Sequence, residues 1–179
     1  TVLSMTSKKT NKTERNIESS ARFSVAPMMD WTDRHCRYFH RQFTRNSLLY
    51  TEMVAAAALV RGRAYHLLDY SMEEHPLALQ LGGSDPLELA EAASIGESYG
   101  YNEINLNVGC PSDRVQSGSF GAVLMKDPKL VAACCEAMRK STSTDITVKC
   151  RIGVDDQDPD EILPEFLSHI SNSGVSRII

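Results

Sequence analysis

Three times in this chain an aspartate is followed at once by proline and then by residues with helical spacing: Asp85-Pro86, Asp127-Pro128 and Asp158-Pro159. An aspartate at the N-cap accepts the first orphan N–H groups, and a proline at N1 has no N–H to leave unpaired, so each pair marks where a helix begins. Glu88 and Glu161, three residues after their aspartates, complete capping-box patterns. Leu130, Val131, Cys134 and Met138 supply an apolar stripe after the second pair. Pro164 follows Asp158 by six residues, so that helix is expected to begin late or to kink, and Gly174 stands where a closing glycine is expected. Between the helices lie short runs that predict strands: Phe23–Pro27, Leu48–Thr51, Leu77–Leu81, Glu103–Asn107, Ile146–Cys150 and one beginning at Arg177. Strands and helices that alternate through short loops pair in parallel through crossovers. The fold class is therefore α/β.

Two architectures fit, a doubly wound sheet and an eight-fold β/α barrel. No G-x-G-x-x-G follows the first strand, which counts against the dinucleotide-binding sheet. Polar residues instead recur at the C-terminal ends of successive strands: Asp30, Glu52, Gln80, Asn107 with Cys110, and Lys149 with Arg151. Barrel enzymes build their sites there. About five complete β/α units and the start of a sixth strand predict a partial (β/α)8 TIM barrel, truncated before closure. Residues 1–22, rich in Ser, Thr, Lys and Arg, read as a disordered tail or the remnant of a transit peptide, with Glu14 and Glu18 against the second. That segment has no apolar h-region, so secretion is not expected. Residues 23–179 read as one incomplete catalytic domain.

Several function classes are excluded early. No apolar run approaches the roughly 18 residues of a membrane span, and the block Met53–Val60 reads as a packed helix. The five cysteines are odd in number and contain no C-x-x-C pair, which supports neither a disulfide framework nor a metal site. Reduced thiols in a reducing compartment are expected. A net charge of −4 is the wrong sign for holding nucleic acid unaided, so an RNA partner needs a local basic face or another domain.

Chemistry concentrates at Asn105-Leu106-Asn107-Val108-Gly109-Cys110-Pro111-Ser112. Gly109 allows a sharp turn, and Pro111 fixes its own φ, so Cys110 sits on a rigid exit from a strand. It is either a reactive thiol or one more small buried hydrophobe. Adjacent Cys134 and Cys135 point different ways on a helix and read as packing residues. His35, His40 and His169 read as ordinary helix residues.

Four motifs then carry a resemblance: Ala26-Pro27-Met28-Met29-Asp30-Trp31-Thr32-Asp33, Leu79-Gln80-Leu81-Gly82-Gly83, the Asn105–Ser112 segment, and Val148-Lys149-Cys150-Arg151-Ile152-Gly153. In that order and at those intervals they resemble the tRNA-dihydrouridine synthases, flavoproteins with a TIM-barrel catalytic domain and a helical C-terminal domain. Tyr50-Thr51-Glu52-Met53 and Asp155-Asp156-Gln157-Asp158 resemble the bacterial A-type subgroup and its plant relatives. The resemblance implies an oxidoreductase acting on a CH–CH bond. NADPH reduces FMN, flavin N5 delivers hydride to C6 of a tRNA uracil, and a cysteine matched by Cys110 protonates C5, giving dihydrouridine. A thiol suits that task because a thiolate has no proton to give. By the same resemblance Pro27, Met28 and Met29 lie against the isoalloxazine, Gln80 bonds the flavin ring, and Lys149 lies near flavin N1. Asn107 contacts the target base by that resemblance, the alternative being a structural asparagine that caps the turn. Arg151 is a candidate for contact with a phosphate or ribose. The family's flavin-contacting histidine would follow the sixth strand, past Ile179. The partner implied is tRNA, bound mainly through the C-terminal domain of a monomer, in the cytoplasm, a plastid or a mitochondrion. Two other readings remain: a barrel flavoprotein reducing a free pyrimidine, and a non-catalytic RNA-binding remnant.

A sheet of five or six parallel strands would leave an uncovered inner face and an exposed edge. The expectation is that the 179-residue chain alone is poorly stable and holds FMN weakly or not at all. Flavin absorbance co-purifying in stoichiometric amount with that chain would overturn it.

Overall fold

The computed structural model describes residues 22–111 and 120–179. Nearly all of the expected tail, residues 1–21, and Ser112 of the cysteine turn lie outside them. Six strands, β1 (Ser24–Val25), β2 (Leu48–Ala55), β3 (Leu77–Gly82), β4 (Glu103–Val108), β5 (Asp145–Cys150) and β6 (Arg177–Ile178), pair in parallel in chain order. They curl into an unclosed half-barrel, the partial TIM-barrel fold that the alternation predicts. Among the described residues five α-helices accompany them: α1 (Arg34–Phe43), α2 (Ala56–Val60), α3 (Pro86–Ser98), α4 (Pro128–Ser141) and α5 (Pro159–Asn172).

The Asp-Pro pairs start their helices as their chemistry requires. Asp85 accepts from the N–H groups of Leu87 and Glu88, Asp127 from Leu130, and Asp158 from Asp160. Glu88 does not close a capping box; its carboxylate pairs with Arg61 at 2.8 Å instead. The helix α5 starts at Pro159 and runs through Pro164, so it does not begin late. Gly174 takes φ +78° just past its end, the left-handed conformation that a glycine adopts without Cβ strain. Met53–Ala55 belong to β2 rather than to the helix expected from Met53 onward, and α2 is confined to Ala56–Val60.

Side chains on a strand alternate between its two faces, and here the two faces carry different chemistry. The outer set, Leu77, Leu79 and Leu81 on β3, Ile104, Leu106 and Val108 on β4, and Ile146 and Val148 on β5, is buried in one apolar cluster. Leu89, Ala92 and Ala93 of α3, Val131, Cys134 and Met138 of α4, and Phe166 and Ile170 of α5 complete that cluster. The inner set is polar. Gln80, Glu103, Asn105, Asn107 and Thr147 are all buried, and hydrogen bonds across the strands satisfy them. This inner lining is what aims functional groups at the strand ends.

One irregularity changes which residues face inward. Between Tyr50 and Met53 the β2–β3 register slips, so Thr51 and Glu52 together stand opposite Leu79. The result is a β-bulge, which redirects side chains. Thr51 Oγ1 takes the N–H of Gln80 at 3.0 Å, a backbone donor beside the slipped register. Glu52 reaches back to accept the N–H of Asp30 at 2.7 Å. Asp30 has φ +64°, a conformation aspartate tolerates better than most residues, and the Glu52 bond helps hold it.

The β1–α1 segment is fixed from below by arginines. Arg37 Nε meets Glu74 Oε2 at 2.6 Å with both side chains nearly or wholly buried, and Arg37 Nη1 donates to Thr32 O. Thr32 in turn bonds Met28 through its hydroxyl and its N–H. Arg41 donates to the carbonyls of Glu74 and Pro76. A buried charge left without its partner is strongly destabilising. Glu74→Ala in the whole protein should therefore lose about 3–5 kcal/mol, read as a lower urea midpoint. An unchanged midpoint would show that this ion pair does not anchor α1.

Candidate active site

At the C-terminal ends of the strands the inner wall opens into a cavity of about 260 Å³. Pro27, after β1, and Met29 form its apolar side together with Met53 of β2. Gln80 of β3, Asn107 of β4 and Lys149 of β5 give it an amide, a second amide and a cation. Gly109, Cys110 and Pro111 close one end. Six sequence-predicted site residues, Pro27, Met29, Gln80, Asn107, Cys110 and Lys149, thus meet at one opening although they come from four strands and the segments that follow them.

Two of the predicted residues stand apart. Met28 is 44% exposed and is not among the residues lining this cavity. Arg151 lines a neighbouring cavity of about 350 Å³ with Lys126, Gly153 and Asp155, where Lys126 and Asp155 pair at 2.6 Å. Pro111 lines both cavities and lies between the cysteine and the basic side chains. Met53 was not anticipated as a site residue; the alanine-rich run after it obscured its place on a strand. Gly82 leaves the space it needs, since a Cβ there would approach Met53 Sδ to 2.8 Å and Phe120 Cε2 to 2.9 Å.

The cysteine turn is held from three directions. Asn107 Oδ1 accepts the N–H groups of Gly109 and Cys110 at 3.1 and 2.9 Å. Arg151 Nε donates to Gly109 O at 2.6 Å, a bond between loops of adjacent strands. Cys110 O accepts from Ala122 N at 2.9 Å. The freedom of Gly109 is not what makes the turn. Its φ is not positive, and a Cβ there would meet Cys150 and Lys149 backbone atoms only at 3.6–3.7 Å, ordinary contact. Side-chain hydrogen bonding shapes this turn instead.

A family model described as dihydrouridine synthase matches residues 24–179, nearly the whole of the described half-barrel. The chain belongs to the dihydrouridine synthase family. Its curated relatives include proteins called tRNA-dihydrouridine(20/20a) synthase. Those of Escherichia coli (strain K12) and Shigella flexneri are each 58% identical over 172 residues, 96% of this chain and 49% and 50% of theirs. The protein of the same name from Vibrio parahaemolyticus serotype O3:K6 is 59% identical over 155 residues, 87% of this chain and 47% of its own. The chain spans about half the length of the curated relatives it matches.

The cysteines of the half-barrel differ in their surroundings. Cys134 and Cys135 sit in the helix-side core, where burial pushes both thiols up to about 12. Burial also raises Cys150, against the lowering effect of Lys149. Cys110 is half-buried and lines the cavity. Among the described residues no group of three or more His, Cys, Asp and Glu is placed to hold a metal ion, and no helix is long and apolar enough to cross a membrane. Because Cys110 lines an open cavity, iodoacetamide should modify it in the native protein. Cys134 and Cys135 should react only after denaturation. Peptide mass spectrometry reads the difference, and early modification of Cys135 would contradict the buried placement.

Proposed function

We propose that this chain carries the cofactor- and base-facing wall of a tRNA-dihydrouridine synthase, an FMN-dependent, NADPH-linked enzyme that reduces uridine in tRNA. The observation that supports it most is the convergence of Cys110, Asn107, Gln80 and Lys149 on one cavity beside the apolar side formed by Pro27, Met29 and Met53. The lining fits an isoalloxazine. A flat ring with one polar edge needs an apolar surface together with groups that donate and accept, and the amide of Gln80 can do both. When bound, FMN would supply a hydride equivalent to C6 of the uracil, with NADPH as the source of the two electrons.

The chain's own residues supply the rest. Cys110 holds a proton at Sγ for C5, so hydride and proton together saturate the C5–C6 bond and the thiol leaves as thiolate, to be reprotonated from water. Asn107 fixes the backbone of that cysteine and presents its amide to the cavity. Lys149 brings a cation to the wall where negative charge develops during transfer, the usual means by which a protein tunes a flavin. Arg151, beyond Pro111, offers its remaining guanidinium donors to a phosphate or ribose of the substrate strand. On this reading residues 23–179 are part of the flavin-binding catalytic domain, tRNA is the partner of a monomeric enzyme, and the compartment is the cytoplasm or an organelle holding tRNA.

Cys110→Ala removes the acid and leaves the cofactor wall. In the whole enzyme it should leave flavin reduction by NADPH nearly unchanged and slow reduction of the base by about 10²–10⁴-fold, the range of general acid catalysis. Equal loss in both half-reactions would show that Cys110 has a different task. Tight tRNA binding with no dihydrouridine formed by the wild-type enzyme would reject the catalytic reading.

A further inference from the structure

Beneath the cavity the inner face continues as a single file of directed hydrogen bonds. At the top, the backbone N–H groups of Gly109 and Cys110 can only donate, and both are given to Asn107 Oδ1. That fixes the Asn107 amide, whose Nδ2 donates to Gln80 Oε1 at 2.8 Å. Gln80 Nε2 then donates to Asn105 Oδ1 at 2.8 Å, and Asn105 Nδ2 to Thr147 Oγ1 at 2.8 Å. Thr147, accepting from above, has one hydrogen left and gives it to Glu103 Oε1 at 2.5 Å. There the file ends, because a carboxylate only accepts. Tyr50 donates to the same oxygen from the side at 2.7 Å, and Arg177 binds Oε2. Glu103, Asn105 and Thr147 have no exposed surface. Water therefore cannot take the place of any lower link.

We infer that Glu103 is a positioning residue for the cavity. As the fixed acceptor at the foot of the file, it lets the four side-chain bonds run in the direction that the Gly109 and Cys110 donors set at the top, and thereby helps hold that turn on Asn107. The geometry stands by itself, and its catalytic consequence rests on the reading of Cys110 as the proton donor. A glutamine at this position would offer one acceptor and one donor. Arg177 would claim the oxygen, and the NH₂ group would face two hydroxyls already committed to donating. Thr147 would then accept from both sides with its own hydrogen unplaced. Hydrogen bonds in a chain strengthen one another, so a conflict at one end weakens the bonds along it. The link that can open is the uppermost, because Asn107 borders the cavity and is 8% exposed.

Hydrogen exchange of individual backbone amides in the whole protein tests this without reference to turnover. In Glu103→Gln the Gly109 and Cys110 amides should exchange about tenfold faster, a fold-change typical of losing one hydrogen bond, while Ile104 and Leu106 on the same strand keep their wild-type rates. Tyr50→Phe removes a donor that is not in the file. It should lower the melting temperature yet leave the Gly109 and Cys110 rates at wild type. If Glu103→Gln does not fold, Thr147→Val breaks the file one link higher and should give the same local acceleration, with Thr147→Ser restoring slow exchange. Unchanged Gly109 and Cys110 rates in whichever of Glu103→Gln and Thr147→Val folds would overturn the inference. So would acceleration spread evenly along β4, which is what a purely structural role predicts. Single-turnover reduction of tRNA uridine should fall about tenfold in the same variant, in step with the exchange change. A wild-type enzyme that reduces no tRNA uridine would refute the proposed function and leave the exchange result to decide the role of Glu103.

Discussion

Removing a carboxylate from water costs several kcal/mol unless close partners compensate it, and Glu103 is wholly buried. The inner face of the sheet is arranged around that requirement. Tyr50 comes from β2, Thr147 from β5 and Arg177 from β6, so one side chain on β4 draws together strands that are not all neighbours. Burial, together with Glu103, pushes the Tyr50 hydroxyl well above its usual range, which keeps it a donor. The apolar outer face binds strands to helices without directional preference. The ionic inner face adds direction, and directed bonds allow a rim residue to be placed accurately.

The rim inherits that order. The groups at the rim stand on neighbouring strands or the loops after them, and only Lys149 and Arg151 carry their charge on a long flexible arm. The cysteine turn is clamped by an amide below, a guanidinium from the next loop, and a backbone bond from the segment that follows. Under the proposed function Cys110 would have to stay in line with a carbon while the neighbouring atom accepts hydride, and a clamped turn suits that task better than a mobile loop would.

Much of this was legible in the chain. Asp-Pro pairs announce three helices because capping chemistry is local, and strand positions follow from apolar runs between them. The gathering of Gln80, Asn107, Cys110 and Lys149 could be anticipated because polar residues at strand ends in an α/β chain have few other uses. What escaped sequence reasoning depends on register between segments far apart. Glu103 opens an unremarkable strand, and its importance arises only when Tyr50, 53 residues earlier, and Arg177, 74 residues later, arrive beside it. Arg151 was read as a substrate contact, and its bond to Gly109 O has no local signature. Met28 shares a motif with Pro27 and Met29 but lies outside the cavity, since the tight turn closed by Thr32 directs neighbouring residues differently.

The slip in β2 gives that strand one residue of slack. Its extra residue works as a phase change: Leu48 and Tyr50 share the inner face with Ala78 below the slip, and Met53 lines the opening above it. Deleting either Thr51 or Glu52 would leave one residue opposite Leu79 and keep Met53 opposite Gln80, so only the extra residue and the bond it makes, to Gln80 N–H or to Asp30 N–H, would go. A residue lost on either side of the slip would act as a frameshift in space, whereas one lost at the slip is absorbed there.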